Sequence, residues 1–530
     1  MTLNPLTDRS PVPDLSNLSN LSNLPHLSNL PATPTLPHLP ATAFIDPQGH
    51  NHDTLRPLLQ ATLDLILHHL SHAAATPPLP SPSPDLAHLI ATDPVPEQGR
   101  EFAALLQHLH TAIAGTMNPA HPGYLGHMDP PATTVSILGD WITAALNNNM
   151  LSVEMSPVFS RLEPEVLRSL AELFGLGPAA GGLLLSGGTL ANLQALIVAR
   201  NVKLGGVMQG GLAQWSLGAS LGAERPGQPV IFASEVAHTS WQKAAMITGL
   251  GVKGVVSVAV NDRSQLDLAD LEIKFQAAIR AGQRPFALIA TAGTTVTGNI
   301  DPLPQLVAFA QTHDLWLHVD AAYGGALVFC DRERHRLQGI EAADSVTFNP
   351  QKWLYVTKTC AAVLFRKMEH LDTAFRVSAP YMAESGDVTN LGELSVQGTR
   401  HPDILKLWLS LQHLGRSGYD ALITASYERT AYLKAGLLRR SWLTLASEPE
   451  MNILCFRGEP PELQPQDWDQ WNRGLQQFLL KEAQIFVSLP RYRGNLWLKT
   501  VLLNPYTDQA VFDRLLAAMD TYHQGVTPSP

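Results

Sequence analysis

Residues 315–353 read LWLHVDAAYGGALVFCDRERHRLQGIEAADSVTFNPQKW, and this stretch decides the fold. One apolar run ends in Asp320, a turn of small residues follows, and a second apolar run leads to Lys352. We interpret both runs as buried strands of a mostly parallel sheet. Because ligands of open α/β sheets gather at the carboxyl ends of the strands, we expect Asp320 and Lys352 to share one crevice.

An aspartate and a lysine at such a crevice suit the chemistry of pyridoxal 5′-phosphate. The amine of Lys352 can bind the cofactor's aldehyde covalently, and the carboxylate of Asp320 can keep the pyridine nitrogen protonated. The alternative is that the two residues are an ordinary surface acid and base. The apolar runs that precede both residues disfavour this alternative, so the sequence predicts pyridoxal 5′-phosphate as the cofactor.

Two motifs carry a resemblance to a known family. Residues 318–325, HVDAAYGG, and residues 349–353, NPQKW, resemble motifs of the group II pyridoxal-phosphate-dependent amino-acid decarboxylases, which include aromatic-amino-acid, glutamate and diaminobutyrate decarboxylases. The resemblance extends from about Leu55 to about Asp520. It implies a carboxy-lyase that converts an L-amino acid to its amine and carbon dioxide. The family usually has histidine where this chain has Gln351, and glutamine can donate a hydrogen bond but cannot titrate.

The resemblance also implies an α/β fold of the fold-type I pyridoxal-phosphate transferases. We expect four parts: a low-complexity tail at 1–45, an N-terminal helical segment at 46–115, a large cofactor-binding domain at 116–385, and a small C-terminal α+β domain at 386–525. The tail repeats Ser-Asn-Leu and Leu-Pro-His-Leu, a composition typical of disorder. In the family the helical segment packs across a second subunit, which implies a homodimer.

The composition disfavours several classes of protein. The chain has 530 residues, a net charge of -10 and a pI of about 6.0, whereas nucleic-acid-binding chains are more often basic. Its three cysteines are widely spaced and form no metal-ligand pattern, which fits a reducing compartment. There is no signal-peptide pattern and no apolar run long enough to span a bilayer. We therefore expect a cytoplasmic protein without a metal, membrane or nucleic-acid partner.

Residues 183–189, LLLSGGT, predict a strand that runs into a glycine turn and a helix. Glycines let the backbone approach a phosphate, and a helix N-terminus offers free N–H groups. Many strand-to-helix turns look similar. This turn therefore indicates a phosphate site only in combination with the predicted positions of Asp320 and Lys352. The resemblance implies that Gly188, Thr189 and Asn349 contact the cofactor's phosphate.

Three further residues match cofactor contacts of the family. His238, after a predicted strand at 230–234, would stack on the pyridine ring and orient the substrate carboxylate. Ala322 would meet the opposite face of the ring, and Thr295 would bond the cofactor's edge. For His238 the competing interpretation is a buried, hydrogen-bonded histidine with a structural role.

Substrate contacts are predicted at His127, Arg400 and Tyr381. His127 lies in a Pro- and Gly-rich loop that the resemblance places at the substrate's side chain, although a loop histidine without a role is nearly as plausible. Arg400 matches an arginine for the substrate carboxylate, a task that suits its planar fork. Tyr381 matches the proton donor that acts after carbon dioxide leaves, with an ordinary surface tyrosine as the alternative. The predicted catalytic residues are therefore Lys352, Asp320, His238 and Tyr381.

Two other functions compete with an L-amino-acid decarboxylase. A decarboxylation-dependent aldehyde synthase in this family accompanies loss of the loop tyrosine or the ring-stacking histidine, and both are present here as Tyr381 and His238. A catalytically inactive cofactor-binding protein is disfavoured by the retained Lys352. The sequence leaves open whether the substrate side chain is acidic, basic or aromatic.

Overall fold

The structure is a computed structural model that describes residues 40, 42–80, 87, 89, 91, 93–217, 227–378 and 388–525. The described residues divide into two compact units, one drawn from Met1–His68 and Arg100–Leu106, the other from His69–Gly99 and Gln107–Pro530. Most of the predicted tail lies outside the described residues. Within them, no helix is long and apolar enough to cross a membrane.

The larger unit contains a seven-stranded sheet in the order β1-β7-β6-β5-β4-β2-β3. Only β7 runs antiparallel to its neighbours, and all other pairs are parallel. The prediction of a mostly parallel sheet is therefore confirmed. The strands are β1 (Gly181–Leu185), β2 (Pro229–Ser234), β3 (Val255–Val258), β4 (Arg284–Thr291), β5 (Trp316–Asp320), β6 (Ser345–Phe348) and β7 (Ala361–Phe365).

Fourteen α-helices are assigned among the described residues. They are α1 (His52–Ser71), α2 (Phe102–Ala114), α3 (Thr134–Leu146), α4 (Phe159–Leu173), α5 (Gly188–Lys203), α6 (Val207–Leu217), α7 (Ser240–Ile247), α8 (Leu268–Arg280), α9 (Leu303–Thr312), α10 (Glu369–Ala374), α11 (Leu391–Leu394), α12 (Ile404–Leu438), α13 (Trp468–Glu482) and α14 (Gln509–Gln524). Helices α5, α8 and α9 pack against the sheet. Strands β1, β5, β6 and β7 are buried along their whole length, as is typical of apolar strands inside an α/β layer structure.

A second, smaller sheet follows near the C-terminus. It contains β8 (Leu443–Leu445), β9 (Ile453–Gly458) and β12 (Leu498–Val501), all paired antiparallel, beside a two-stranded hairpin of β10 (Arg491–Tyr492) and β11 (Asn495–Leu496). Helices α13 and α14 pack on each other around a separate apolar core. This confirms the predicted small α+β part, while the residue numbers chosen for the domain boundaries stay predictions.

The parallel pairing of β5 with β6 explains why Asp320 and Lys352 come together. Asp320 is the last residue of β5 and pairs in register with Thr347 of β6. Strand β6 ends one residue later, and Lys352 follows four residues beyond its end. Both side chains therefore leave the sheet at its carboxyl edge.

A buried ion pair holds strand β1 against helix α4. Arg400, 4% exposed, donates through Nη1 and Nη2 to the two carboxylate oxygens of Glu163 at 3.1 and 3.0 Å, and Glu163 is 0% exposed. Leu184 of β1 joins both partners, because its N–H donates to Glu163 and its carbonyl accepts from Arg400. The pair thus fixes the strand that leads to the glycine turn.

We expect Arg400→Met to destabilise the larger unit by about 3–5 kcal/mol, since it leaves the Glu163 carboxylate buried without a counter-charge. The double variant Arg400→Met/Glu163→Met should lose clearly less free energy of unfolding than Arg400→Met. Guanidinium-induced unfolding followed by circular dichroism measures both. A single variant as stable as the unmodified protein would contradict this account of β1.

Candidate active site

A cavity of about 290 Å³ opens at the carboxyl edge of the large sheet. The structure brings to its wall every residue for which a cofactor contact is predicted: Gly188, Thr189, His238, Thr295, Asp320, Ala322, Asn349 and Lys352. Five separate chain segments supply them. The roles assigned to these residues stay predictions, but their convergence on one cavity is a property of the fold.

One end of the cavity is shaped for an anion. Helix α5 begins at Gly188, and Gly187 before it has a φ of +106°, a backbone conformation that favours glycine. A Cβ atom on Gly188 would stand 2.7 Å from Nδ2 of Asn349, so a larger residue there would displace the Asn349 amide. Oδ1 of Asn349 is buried without a hydrogen-bond partner among the described residues. The free N–H groups of the helix and the amide of Asn349 make this end suitable for a phosphate.

Asp320 is held in place by two donors. Nδ2 of Asn192 donates to its Oδ2 at 2.9 Å, and the backbone N–H of Ala322 donates to its Oδ1 at 3.2 Å. Nδ2 of Asn192 also donates to Oγ of Ser240 at 2.9 Å. The sequence analysis missed Asn192. Its spacing of four residues from Gly188 was the available signal, because such residues share one face of a helix.

His238 presents its ring to the cavity in a fixed orientation. Its Nδ1 lies 2.9 Å from Oγ of Ser240 and accepts the Ser240 N–H at 3.2 Å, so a proton on the neutral ring belongs on Nε2. Burial lowers the pKa of His238, and the nearby carboxylate of Asp320 opposes this shift. The lowered pKa favours a neutral imidazole at the cavity wall at pH 7.

Burial also lowers the pKa of Lys352, against the opposing charges of Asp320 and Asp129. A lowered pKa increases the fraction of neutral amine, which is the form that attacks an aldehyde. Carboxylate, amine and anion-binding turn together fit pyridoxal 5′-phosphate. Asp320 would hold the pyridine nitrogen, Lys352 would bind the aldehyde, and Gly188, Thr189 and Asn349 would hold the phosphate.

Two of the three predicted substrate contacts, His127 and Arg400, are not part of this cavity wall. The ring of His127 packs 5.4 Å from the ring of Phe486, and His127 is not part of the cavity wall described above. The guanidinium of Arg400 binds Glu163 beneath β1. Tyr381 lies outside the described residues. All three roles stay predictions.

Lys499 lies beside the cavity wall, and the sequence analysis missed it. It lies in β12, is 5% exposed, and donates through Nζ to the carbonyl of Thr295 on the cavity wall at 3.2 Å. Burial lowers the pKa of Lys499 to about 8, with the charge of Lys352 acting in the same direction. Within the described part of the chain, no carboxylate forms an ion pair with Lys499. Its strand, LWLKTVLL, carried the only signal, a single lysine within an apolar run.

One group of potential metal ligands lies in the larger unit, at Asp140, His401 and Asp403. The ammonium of Lys406 lies 3.0 Å from Asp140 and 2.9 Å from Asp403. The lysine therefore already supplies the positive charge that these carboxylates need.

Comparisons with known proteins agree with this geometry. A sequence model described as the pyridoxal-dependent decarboxylase conserved domain matches residues 85–459. The chain is 29% identical over 440 residues to the acidic amino acid decarboxylase GADL1 of Bos taurus, a match that covers 80% of this chain and 82% of that protein.

Solved structures show the same fold. A crystal structure of mouse CSAD in its apo form has a TM-score of 0.82 and 29% sequence identity, covering 90% of this chain and 100% of that one. A structure of Oryza sativa TDC with PLP and tryptamine has a TM-score of 0.81 at 23% identity, covering 91% and 99% of the two chains. Since the family match spans more than half of the sequence, the chain belongs to the pyridoxal-dependent decarboxylases, carboxy-lyases that use pyridoxal 5′-phosphate to remove carbon dioxide from an amino acid.

Proposed function

We propose that this decarboxylase acts on a small acidic L-amino acid. The observation that carries the proposal is Lys499, a buried cation beside the cavity with no anionic partner among the described residues. Burying a charge without a counter-charge is costly, so such a cation is most stable when a ligand supplies the anion. A carboxylate of the substrate is the anion that an amino acid brings.

The charges around Lys499 support an acidic substrate over a basic one. The nearest acid of the loop that carries His127 is Asp129, and its carboxylate is bound by the ammonium of Lys358. Lys352 on the cavity wall and Lys499 beside it form no ion pair among the described residues, so a basic side chain near them would meet like charge. An aromatic side chain finds little support either, since the described residues of the cavity wall include no Phe, Tyr or Trp. The relative GADL1 is named an acidic amino acid decarboxylase, which agrees with this proposal.

The residues of the site have different roles in the reaction. The cofactor, when bound, supplies an aldehyde for the substrate's amine and a ring that withdraws electrons as carbon dioxide leaves. Lys352 offers a buried amine of lowered pKa, and Asp320 would keep a proton on the ring nitrogen of the bound cofactor. Lys499 binds a substrate carboxylate and thereby orients the molecule. His238, neutral and fixed by Ser240, provides a flat surface for the ring and an N–H at Nε2.

We also propose a homodimer. Helix α3 carries four large apolar side chains that are about half exposed and recur at helical spacing: Leu138, Trp141, Ile142 and Leu146. An apolar stripe of this kind on a soluble enzyme is typical of a protein interface. A second copy of the chain is the partner that the family resemblance implies.

A cytoplasmic location is part of the same proposal. Its support is chemical, since Cys330, Cys360 and Cys455 are all buried free thiols. Free thiols persist where the surroundings are reducing.

Replacing the central lysine tests the enzyme itself. Lys352→Ala should reduce carbon dioxide release to the background rate and remove the visible absorption of bound cofactor, because the described cavity wall has no second lysine. The exposed Lys253→Ala serves as the matched control and should keep both properties. Normal turnover in Lys352→Ala would disprove the role of this residue.

The substrate class is tested by a screen and by Lys499. Among the twenty amino acids with diaminobutyrate and cysteine sulfinate, we expect acidic compounds to release carbon dioxide fastest. Lys499→Met should raise their KM about 10- to 100-fold, as expected for a lost hydrogen bond between charged groups. A basic or aromatic amino acid as the best substrate would contradict the proposal.

The pH dependence of KM gives the same test a second readout. The Lys499 amine binds a carboxylate in its protonated form, which exists below its pKa of about 8. The KM of the unmodified enzyme should therefore rise as the pH increases from 7 to 9. Lys499→Arg should remove this rise, because arginine keeps its charge throughout that range.

Ile142→Asp is expected to disrupt the dimer, because it places a charge in the apolar stripe of α3. Light scattering after size-exclusion chromatography should give twice 57.5 kDa for the unmodified protein and 57.5 kDa for the variant. Ile273→Asp on α8, where the isoleucine is 64% exposed, is the matched control. A monomeric unmodified protein at micromolar concentration would refute the dimer.

A further inference from the structure

Gln351 lies between the anion-binding end of the cavity and the lysine. Its side-chain Oε1 accepts the backbone N–H of Cys360 at 2.6 Å, and its own backbone N–H donates to the Cys360 carbonyl at 3.3 Å. Cys360 directly precedes β7. These two hydrogen bonds fix both the turn that carries Lys352 and the orientation of the carboxamide.

A carboxamide has one acceptor end and one donor end. Because Oε1 accepts from Cys360, Nε2 is the end of the Gln351 carboxamide that is left to donate to another acceptor. Among the described residues, no acceptor forms a hydrogen bond with Nε2. Gln351 is part of the cavity wall, together with Gly188 and Asn349. The free donor therefore belongs to the cavity.

We propose that Nε2 of Gln351 is a hydrogen-bond donor to the phosphate group of the bound cofactor. Two observations support the assignment. Asn349, two residues before Gln351, contacts Gly188 at the start of α5. Gln351 lines the same cavity. A phosphate needs several donors, and a neutral amide supplies one whose strength does not change with pH. The proposal concerns cofactor binding alone and is independent of the substrate class.

Gln351→Glu is the sharpest test, because it keeps the oxygen that accepts from Cys360 and replaces the donor by a second carboxylate oxygen. We expect the dissociation constant of pyridoxal 5′-phosphate for the apoprotein at pH 8 to rise about 10- to 100-fold. Pyridoxal, which lacks the phosphate but keeps the aldehyde and the ring, should bind the variant as it binds the unmodified protein. The readout is an absorbance titration of full-length protein from which the cofactor has been removed.

Gln311→Glu, on the exposed face of α9, controls for the added negative charge and should change neither constant. Equal losses of affinity for pyridoxal 5′-phosphate and pyridoxal would overturn the phosphate contact. Unchanged dissociation constants for both compounds would overturn it as well. If Gln351→Glu does not fold by circular dichroism, Gln351→Met removes the donor without adding charge. Gln351→Met should weaken the binding of pyridoxal 5′-phosphate about tenfold and leave the binding of pyridoxal unchanged. An unchanged dissociation constant for pyridoxal 5′-phosphate would again overturn the proposal.

Discussion

The site depends on the pairing of two neighbouring parallel strands. Because β5 and β6 run side by side in the same direction, the carboxylate that ends β5 and the amine that follows β6 emerge at one edge of the sheet. A change of register by one residue would turn Asp320 to the opposite face. The buried apolar side chains on these strands, from Trp316 to Phe348, fix that register. Core packing and active-site geometry are therefore a single constraint.

A short polar network transmits this constraint to the rest of the cavity. Asp320 accepts from Asn192 on α5, Asn192 donates to Ser240 on α7, and Ser240 contacts His238. In a region of low dielectric, such a chain is stable only when its members are matched in donors and acceptors. Helix α5, whose N-terminus is the predicted phosphate site, thus also orients the carboxylate and, through Ser240, the imidazole. One displaced member would disturb all three functions.

Part of the site could be predicted from the sequence, because the signals for those residues lie next to them in the chain. Asp320 ends an apolar run, and Gly188 and Lys352 follow such runs within four residues, so the strand pattern alone locates them near the sheet edge. Arg400 shows the limit, because its partner Glu163 lies 237 residues away and only the folded chain brings them together. Lys499 was missed for the same reason. Its significance comes from Thr295, 204 residues earlier, and from a burial that a single lysine in an apolar run does not reveal.

Lys352 on the cavity wall and Lys499 beside the cavity interact electrostatically, and this interaction bears on the proposed choice of substrate. Burial lowers the pKa of Lys499, and the charge of Lys352 lowers it further, so without a ligand the proposed carboxylate-binding group is less often protonated. A bound carboxylate acts in the opposite direction and raises the pKa of Lys499 again, so anion binding and retention of the proton on Lys499 reinforce each other. A neutral ligand gains nothing from this arrangement, and a cationic one opposes it. In the proposed function, a preference for an anion would therefore arise from the pair of amines, rather than from one side chain.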